Sequence, residues 1–274
     1  MERCVADAAV IAGFKFFLAT AVAVTVTRAQ EAWLQPERFA ATPGATLFVN
    51  LTGGDGSVGE ETAIKPERVA RAVARLGGAG LSWGAAPVNE GTLRYPVTVP
   101  RPGVGVLGVE LTRRVREREP AEIEAYLRAI HAGDEGRESW AAEPEPRRWR
   151  ETGVTHAKTF VRVGEPAGDE RSWAEPLGLA LEIVPERDPT MLRVGDVLPV
   201  RVLRGGRPSA GFVLAYVSAG ETREHVVVTD GEGRASAPVD AAGVWRVHGT
   251  DLRRVKSADR EWESEVTTMV VEVR

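Results

Sequence analysis

The sequence predicts an all-β protein made of two antiparallel β-sandwich domains, with one or two short helices in the first. Short runs rich in β-branched residues alternate with Gly- and Pro-containing turn sequences along most of the chain. Their spacing is typical of an antiparallel sandwich. A polar segment with glycine and proline, 164–171, separates two apolar stretches. We place the boundary near residue 170, with a β-rich domain at 30–170 and a sandwich at 171–274.

The first 29 residues have the pattern of a secretory signal peptide. Basic residues flank a polar stretch, and an apolar run, Phe16–Val26, follows. A run of this length is too short for a membrane-spanning helix, which needs roughly 20 residues, but it suits a signal peptide. Cleavage is expected after Ala29, so that the mature chain begins at Gln30. The protein is therefore expected to be periplasmic or secreted.

Composition narrows the set of partners. The formal net charge of −4 argues against binding to nucleic acid or to an anionic membrane surface. The only cysteine, Cys4, lies within the segment that we expect to be removed. The exported chain is thus expected to have no disulfide, no lipid anchor and no direct membrane insertion.

The first domain opens with two predicted strands, 33–39 and 46–51. The segment 41–44 joins them, and Gly44 supplies the positive φ that a type II turn needs. The glycine-rich segment 53–59 lacks the Gly-Lys-Ser/Thr ending of a phosphate-binding loop, so a flexible loop is favoured. The segment 66–76 fits two patterns, because its apolar residues match both helical spacing and the alternation of an edge strand.

Further along, strands are predicted at 94–99, 103–111 and 154–163. A helix is predicted between them, because Pro120 stands near a first turn and four apolar residues share one face before Gly133 ends the helix. Those residues are Ile123, Tyr126, Leu127 and Ile130. The charged segment 134–151 is expected to be a loop or a short helix that covers the same side of the sheet.

The second domain combines predicted strands at 197–203, 211–217 and 224–228 with glycine-containing turns. Several sequences carry a family resemblance: AWLQPERF (32–39), AKTFVRVG (157–164), AGFVLAYV (210–217), TDGEGRA (229–235) and AGVWRVH (242–248). Together they resemble the DUF4198 family, also described as nickel- or cobalt-transport-associated periplasmic proteins. The C-terminal part resembles the prealbumin-like sandwiches of many secreted bacterial proteins. The resemblance also favours a strand at 66–76.

The resemblance implies a site for a divalent transition metal, nickel or cobalt. A histidine at the place of His248 goes with a second histidine at the mature N-terminus of the family, where this chain has Gln30. Glu31 and Glu263 are the carboxylates that we expect to complete the metal site. The alternative is that His248 only ends a strand and hydrogen-bonds to backbone, with both acids solvated.

Other chemistry has less support. The sequence shows no Gly-x-Ser-x-Gly nucleophile motif, no cysteine after Cys4 and no distinctive carboxylate pair, so we expect no enzyme activity. His131, at the end of the predicted helix, is expected to interact with the helix dipole, and His225 to lie in solvent on a hairpin. Trp33, Trp245 and Trp262 are expected in the core rather than in a sugar-binding platform.

Two functions remain open from the sequence. The first is an exported, non-enzymatic binding or accessory protein that handles nickel or cobalt for a transport system, with a membrane transporter component as partner. The second is a structural module of the cell envelope that binds a protein or glycan partner without a metal.

Overall fold

The computed structural model describes residues 31–54, 62–84, 88–89, 92–255 and 261–274. The predicted signal peptide and most of the glycine-rich loop lie outside these residues. Within them the chain forms strands β1 (Glu31–Pro36), β2 (Ala40–Ala41), β3 (Ala45–Gly54), β4 (Thr62–Ala63), β5 (Val69–Leu76), β6 (Ala79–Gly80), β7 (Val88–Asn89), β8 (Thr92–Val99), β9 (Gly103–Leu111) and β10 (Arg114–Arg118), helices α1 (Pro120–Ala129) and α2 (Asp134–Ala141), and strands β11 (Trp149–Val163), β12 (Leu181–Pro185), β13 (Asp196–Arg204), β14 (Arg207–Pro208), β15 (Val213–Ser218), β16 (Glu224–Val228), β17 (Arg234–Val239), β18 (Gly243–Arg254) and β19 (Glu261–Val273).

The strands form three sheets that pack in layers. The central sheet has the order β16-β15-β18-β19-β11-β9-β5-β6, with β10 and β2 also paired to β11. The first outer sheet has the order β1-β3-β8-β7, with β4 paired to β3. The second outer sheet has the order β12-β13-β14, with β17 paired to β13. The prediction of an all-β sandwich protein with two short helices is confirmed.

The outer sheets cover opposite faces of the central sheet. In β11, Ala157 and Val161 pack with the first outer sheet, whereas Phe160 packs with the second. Neighbouring strand residues point to opposite faces, which explains this division. Because both faces are covered, the stretches 155–161 of β11 and 266–271 of β19 are buried without a break.

The central sheet joins the two halves of the chain. β11 and β19 pair in parallel, with Arg150 opposite Glu261 at one end and Thr159 opposite Val270 at the other. The core beneath the second outer sheet also contains Phe160 from the N-terminal half. The predicted boundary near residue 170 falls between β11 and β12, so one sheet and one core cross it. Independent folding of 171–274 stays a prediction.

Local predictions in the first half agree with the structure. The ambiguous segment forms strand β5, paired with β9. Gly44 has a φ of +85°, as the turn between the first strands requires. Helix α1 begins at Pro120 and buries Ile123, Tyr126 and Leu127. The charged segment after it contains a second short helix, α2.

Both helices pack on the same face of the central sheet as the first outer sheet. Their core contains Trp140, Trp149 and Trp262. Trp262 lies on the same side of β19 as Val270, which packs against Trp33 of β1. All three tryptophans predicted to be in the core, Trp33, Trp245 and Trp262, are buried. The helices and β1 thus cover neighbouring parts of one face, and the candidate site lies between them.

A buried ion pair fastens the second outer sheet to the central sheet. Lys158 Nζ lies 2.6 Å from Glu182 Oε1, and both side chains are buried. The Glu182 carboxylate also accepts hydrogen bonds from the backbone N–H groups of Leu177, Gly178 and Leu179. Burial lowers the pKa of Lys158, and the nearby Glu182 opposes that effect. The charges are therefore compensated within the core.

Candidate functional site

The site is built on three neighbouring strands of the central sheet. Arg246 of β18 and Glu224 of β16 pair with the same residue of β15, so they lie in one row across the sheet. His248 of β18 and Val226 of β16 likewise share a partner in β15 and form a second row. Directly paired residues of antiparallel strands point to the same face. These side chains therefore share the face that also carries β1 and α1.

Glu31, the first residue of β1, meets His248 on this face. Glu31 Oε1 lies 2.7 Å from His248 Nδ1, and both residues are buried. Glu31 Oε2 also lies 3.6 Å from Arg246 Nε. Burial alone would raise the pKa of Glu31, but His248, Arg246 and His131 together hold it below its ordinary value. Glu31 is thus a carboxylate that accepts the Nδ1–H hydrogen bond of His248.

A second imidazole and carboxylate meet beside this pair. His131 Nε2 lies 2.8 Å from Glu224 Oε2. The hydrogen bond from His131 lowers the pKa of Glu224, against the opposing effect of burial. Glu224 Oε1 in turn lies 3.8 Å from His248 Nε2. The side chains form a continuous series in the order His131, Glu224, His248, Glu31.

His131 adopts an unusual backbone conformation. Its φ of +50° is the one positive value among the non-glycine residues that the structure describes. The N–H of His131 donates to Arg128 O, and the N–H of Ala132 donates to Leu127 O, which is the Schellman pattern at the end of α1. Glycine normally occupies this left-handed position, and another residue costs roughly 1–2 kcal/mol there. His131 therefore occupies a backbone conformation that glycine adopts without this cost.

His248 has one ring nitrogen without a hydrogen bond. The residue is 7% exposed, and its Nε2 atom is buried with no hydrogen-bond partner among the described residues. With Nδ1–H donating to Glu31, the neutral ring carries its lone pair on Nε2, which faces Glu224. As the side chains stand, no three histidines or acids in the described ranges form a ready metal-ligand group. His131 Nε2 and Glu224 Oε2 are hydrogen-bonded to each other, so these two atoms are not free to bind an ion in this arrangement.

Two of the three predicted metal-site residues come together, and the third does not. Glu31 and His248 are in contact, whereas Glu263 lies near Arg113 and Arg253. The placement of Glu263 at the site is wrong because Thr268, the β19 residue paired with His248, is five residues further along the strand. Five residues correspond to roughly 17 Å. His248 itself lies in the middle of β18 rather than at its end.

Sequence reasoning missed Glu224 and His131 as site residues. Alternation along β16 does put Glu224 and His225 on opposite faces, but it does not say which face meets β1. The signal at His131 was its position after the last apolar residue of α1, where a C-terminal cap belongs. Gly133 instead precedes α2 as its N-terminal cap residue.

The remaining histidines lie outside the site. His225 lies on the β15–β16 hairpin as predicted, but its side chain is only 20% exposed. It is on the other face of β16 from Glu224, stacks on Trp245 and lies 3.3 Å from Asp240, so the prediction that it lies in solvent is wrong. His156 is buried in β11, with Nδ1 3.3 Å from Glu110 Oε2. Neither residue contacts the series that runs from His131 to Glu31.

Comparisons with known proteins identify a family. The sequence model described as "Domain of unknown function (DUF4198)" matches residues 27–250. None of the curated proteins compared with the chain matches it. No helix among the described residues is long and apolar enough to cross a membrane.

Among solved structures, similarity extends to bacterial adhesins at low identity. The adhesin InvE of Yersinia pseudotuberculosis is 12% identical with a TM-score of 0.24, and the match covers 88% of this chain and 58% of that one. The Escherichia coli adhesin FdeC is 15% identical with a TM-score of 0.23, at 90% and 66% coverage. The D00-D0 domain of intimin is 8% identical with a TM-score of 0.22, at 89% and 99% coverage. The chain thus spans less than two thirds of the first two.

Proposed function

The chain belongs to the DUF4198 family, and we propose that it is an exported, non-enzymatic protein that binds a divalent transition metal ion through His131, Glu224 and His248. One observation carries the proposal. The Nε2 atom of His248 is buried, has no hydrogen bond among the described residues and faces the Glu224 carboxylate. A buried polar atom without a partner costs free energy, and a bound cation removes that cost.

Glu31 has a supporting role in this site. Histidine ligands of metal ions usually donate their other ring N–H to a carboxylate, which fixes the tautomer and the ring orientation. The 2.7 Å contact between His248 Nδ1 and Glu31 has that arrangement. Glu31 therefore orients the ligand rather than contacting the metal itself.

One distance within the site leaves room for a metal ion between two of the proposed ligands. His248 Nε2 and Glu224 Oε1 are 3.8 Å apart. Two metal–ligand bonds of about 2.1 Å span at most about 4.2 Å, so an ion fits between these atoms. His131 Nε2 already lies beside the other oxygen of Glu224. Binding would replace the His131–Glu224 hydrogen bond with bonds to the ion, and because histidine ligands must be deprotonated, metal affinity should rise with pH.

The ligand types favour a transition metal. Two imidazoles and one carboxylate suit nickel, cobalt, zinc or copper, whereas magnesium and calcium prefer sites made of oxygen atoms. Nickel or cobalt is the choice that the family resemblance favours. Export rests on the signal-peptide pattern of residues 1–29, and mass spectrometry of the exported protein should find a chain that starts at Gln30.

A metal-handling role also requires a route to and from the site. The side chains of His131 and Glu224 are 31% and 26% exposed, whereas those of His248 and Glu31 are almost fully buried. One side of the site thus faces solvent, where a membrane transporter component can receive the ion. Transfer to such a partner is part of the proposal.

Calorimetric titration tests the proposal. Untagged protein beginning at Gln30 is titrated with Ni²⁺, Co²⁺ and Zn²⁺, alongside His248→Ala and Glu224→Gln. His225→Ala is the matched control, because this histidine neighbours Glu224 in sequence but lies on the other face of β16. We expect binding by wild type and by the control, and at least tenfold weaker binding by the two site variants.

Failure of the wild-type protein to bind any of the three ions would contradict the proposal. Equal binding by wild type and His248→Ala would also contradict it. A metal-independent module of the cell envelope would then be the better account of the chain.

A further inference from the structure

Strand β10 is an unpaired edge of the central sheet. One side of β10 pairs with β11, and its other side pairs with no strand in the described part of the chain. Strand β5 covers this side of the sheet only as far as Leu111, which lies opposite Val69, the first residue of β5. An unpaired edge presents backbone N–H and C=O groups. β10 can therefore accept a further strand.

Arginines line one face of this edge. Arg114, Arg116 and Arg118 occupy alternate positions of β10 and therefore share a face. The Arg118 guanidinium lies 3.9 Å from the centre of the Tyr126 ring, so this is the face that carries α1. Arg68 lies just before β5, and its pKa is lowered by burial and by the positive charge of Arg114. The four arginines thus form one basic surface.

Most of this positive charge has no counter-charge among the described residues. Arg118 lies 3.8 Å from the buried Glu151 carboxylate, which also accepts side-chain hydrogen bonds from α1, β11 and β19. The other three arginines form no ion pair within the described ranges: Arg68, Arg114 and Arg116. Arg116 Nε is buried without a hydrogen-bond partner there, and burial lowers the pKa of this guanidinium. An anion from outside would stabilise these cations.

The unpaired edge and the charges indicate the same kind of partner. Directly opposed residues of paired strands point to the same face, so a strand added to β10 brings every second side chain to the arginine face. Arg114 and Arg116 are about 7 Å apart along the strand, which matches carboxylates at alternate positions of an extended chain. Val115 is exposed on the opposite face, next to the remaining side chains. A polysaccharide or a free phosphate would use the charges but not the backbone edge.

We infer that β10 binds an extended acidic segment of another protein by addition of a strand to the central sheet. The backbone of the segment pairs with the free edge of β10, and its acidic residues, at every second position, face Arg114 and Arg116. β19 and β10 pair with opposite sides of β11, so this surface lies across the sheet from β16. The inference is therefore independent of the proposed metal site.

Three labelled ten-residue peptides test the inference by fluorescence anisotropy. The first alternates glutamate and threonine, the second alternates glutamine and threonine, and the third is the first with every backbone amide N-methylated. Wild-type protein should bind the first peptide at least tenfold more tightly than the other two, because they lack the charges or the hydrogen-bond donors of a pairing strand. Added salt should weaken binding of the first peptide.

The matched variants are Arg114→Ser/Arg116→Ser and Arg193→Ser/Arg207→Ser. Arg193 and Arg207 are also exposed, but they lie beside β13 and in β14, away from β10. The first variant should bind the glutamate–threonine peptide about fivefold more weakly than wild type, since it loses two cross-strand ion pairs. The second should bind it like wild type. Equal urea midpoints show that both variants are folded.

Absence of binding between wild type and the glutamate–threonine peptide would overturn the inference. Equal losses in the two variants would overturn the role of Arg114 and Arg116. If the N-methylated peptide bound as tightly as the unmodified one, strand addition would be wrong and β10 would be a general anion-binding surface. None of these results depends on metal binding, which is measured separately.

Discussion

His248 Nδ1 lies 2.7 Å from Glu31 Oε1, although 217 positions separate these residues in the chain. The contact joins the first described residue of β1 to the middle of β18, where two layers of the fold meet. It fixes the ring of His248 so that the other nitrogen faces Glu224 and His131. This hydrogen bond thus sets the direction of His248 Nε2, the one buried ring nitrogen of this site that has no hydrogen-bond partner among the described residues.

The role of Glu31 predicts the effect of removing its charge. Glu31→Gln keeps the size of the side chain but weakens its hydrogen bond to the imidazole. Metal affinity should fall by about 10- to 100-fold, as for other carboxylates that orient a histidine ligand. Calorimetry measures the change, with Glu263→Gln as the control because that residue lies elsewhere. Equal losses in both variants would contradict the orienting role.

The conformation of His131 predicts a conflict between stability and binding. His131→Gly removes the strain of a left-handed residue, whereas His131→Ala removes the imidazole and keeps the strain. The glycine variant should be about 0.5–1 kcal/mol more stable to urea than the alanine variant, because relief of strain exceeds the added chain entropy. Both variants should bind the metal ion at least tenfold more weakly than wild type. A less stable glycine variant would show that the position is not strained.

The Lys158–Glu182 pair predicts a large effect on stability. Lys158→Met leaves the buried Glu182 carboxylate without its cation and should lower the free energy of unfolding by about 3–5 kcal/mol. Lys158→Met/Glu182→Gln removes both charges and should recover part of this loss. Urea unfolding of both variants measures the difference. If the Lys158→Met variant were as stable as wild type, the pair would carry no charge in the core.

His156 predicts a pH dependence of stability. Burial lowers the pKa of this imidazole below its ordinary 6.5, against the opposing charges of Glu110 and Glu265. Below pH 6.5 the unfolded chain binds a proton that the folded chain does not, so stability falls as the pH falls. His156→Leu should therefore lose less stability than wild type between pH 7 and pH 5. Parallel losses in the two proteins would contradict this assignment.

Local patterns in the sequence predicted most of the elements. Alternation and turn residues located the strands, and the apolar face of α1 with Pro120 located the helix. The three-layer packing was not predictable in this way, because the parallel pairing of β11 with β19 joins segments about one hundred residues apart. Burial of 155–161 on both faces follows from that pairing.

The candidate site was only half predictable for the same reason. His248 and Glu31 came from a family resemblance, whereas Glu224 and His131 depend on strand register and on the end of α1. Glu263 was a wrong choice because sequence proximity to β18 does not give the register of β19. A short run of residues carries no information about which strand lies opposite.

X-ray absorption spectroscopy of the nickel-loaded protein tests the central claim most directly, because it reports the ligands around the ion. We predict scattering from two imidazole rings in wild type and in the His225→Ala control, and from one ring in His131→Gly at nickel concentrations that still load the site. A spectrum without imidazole scattering, or one that is the same in wild type and His131→Gly, would contradict the assignment of His131 and His248 as metal ligands.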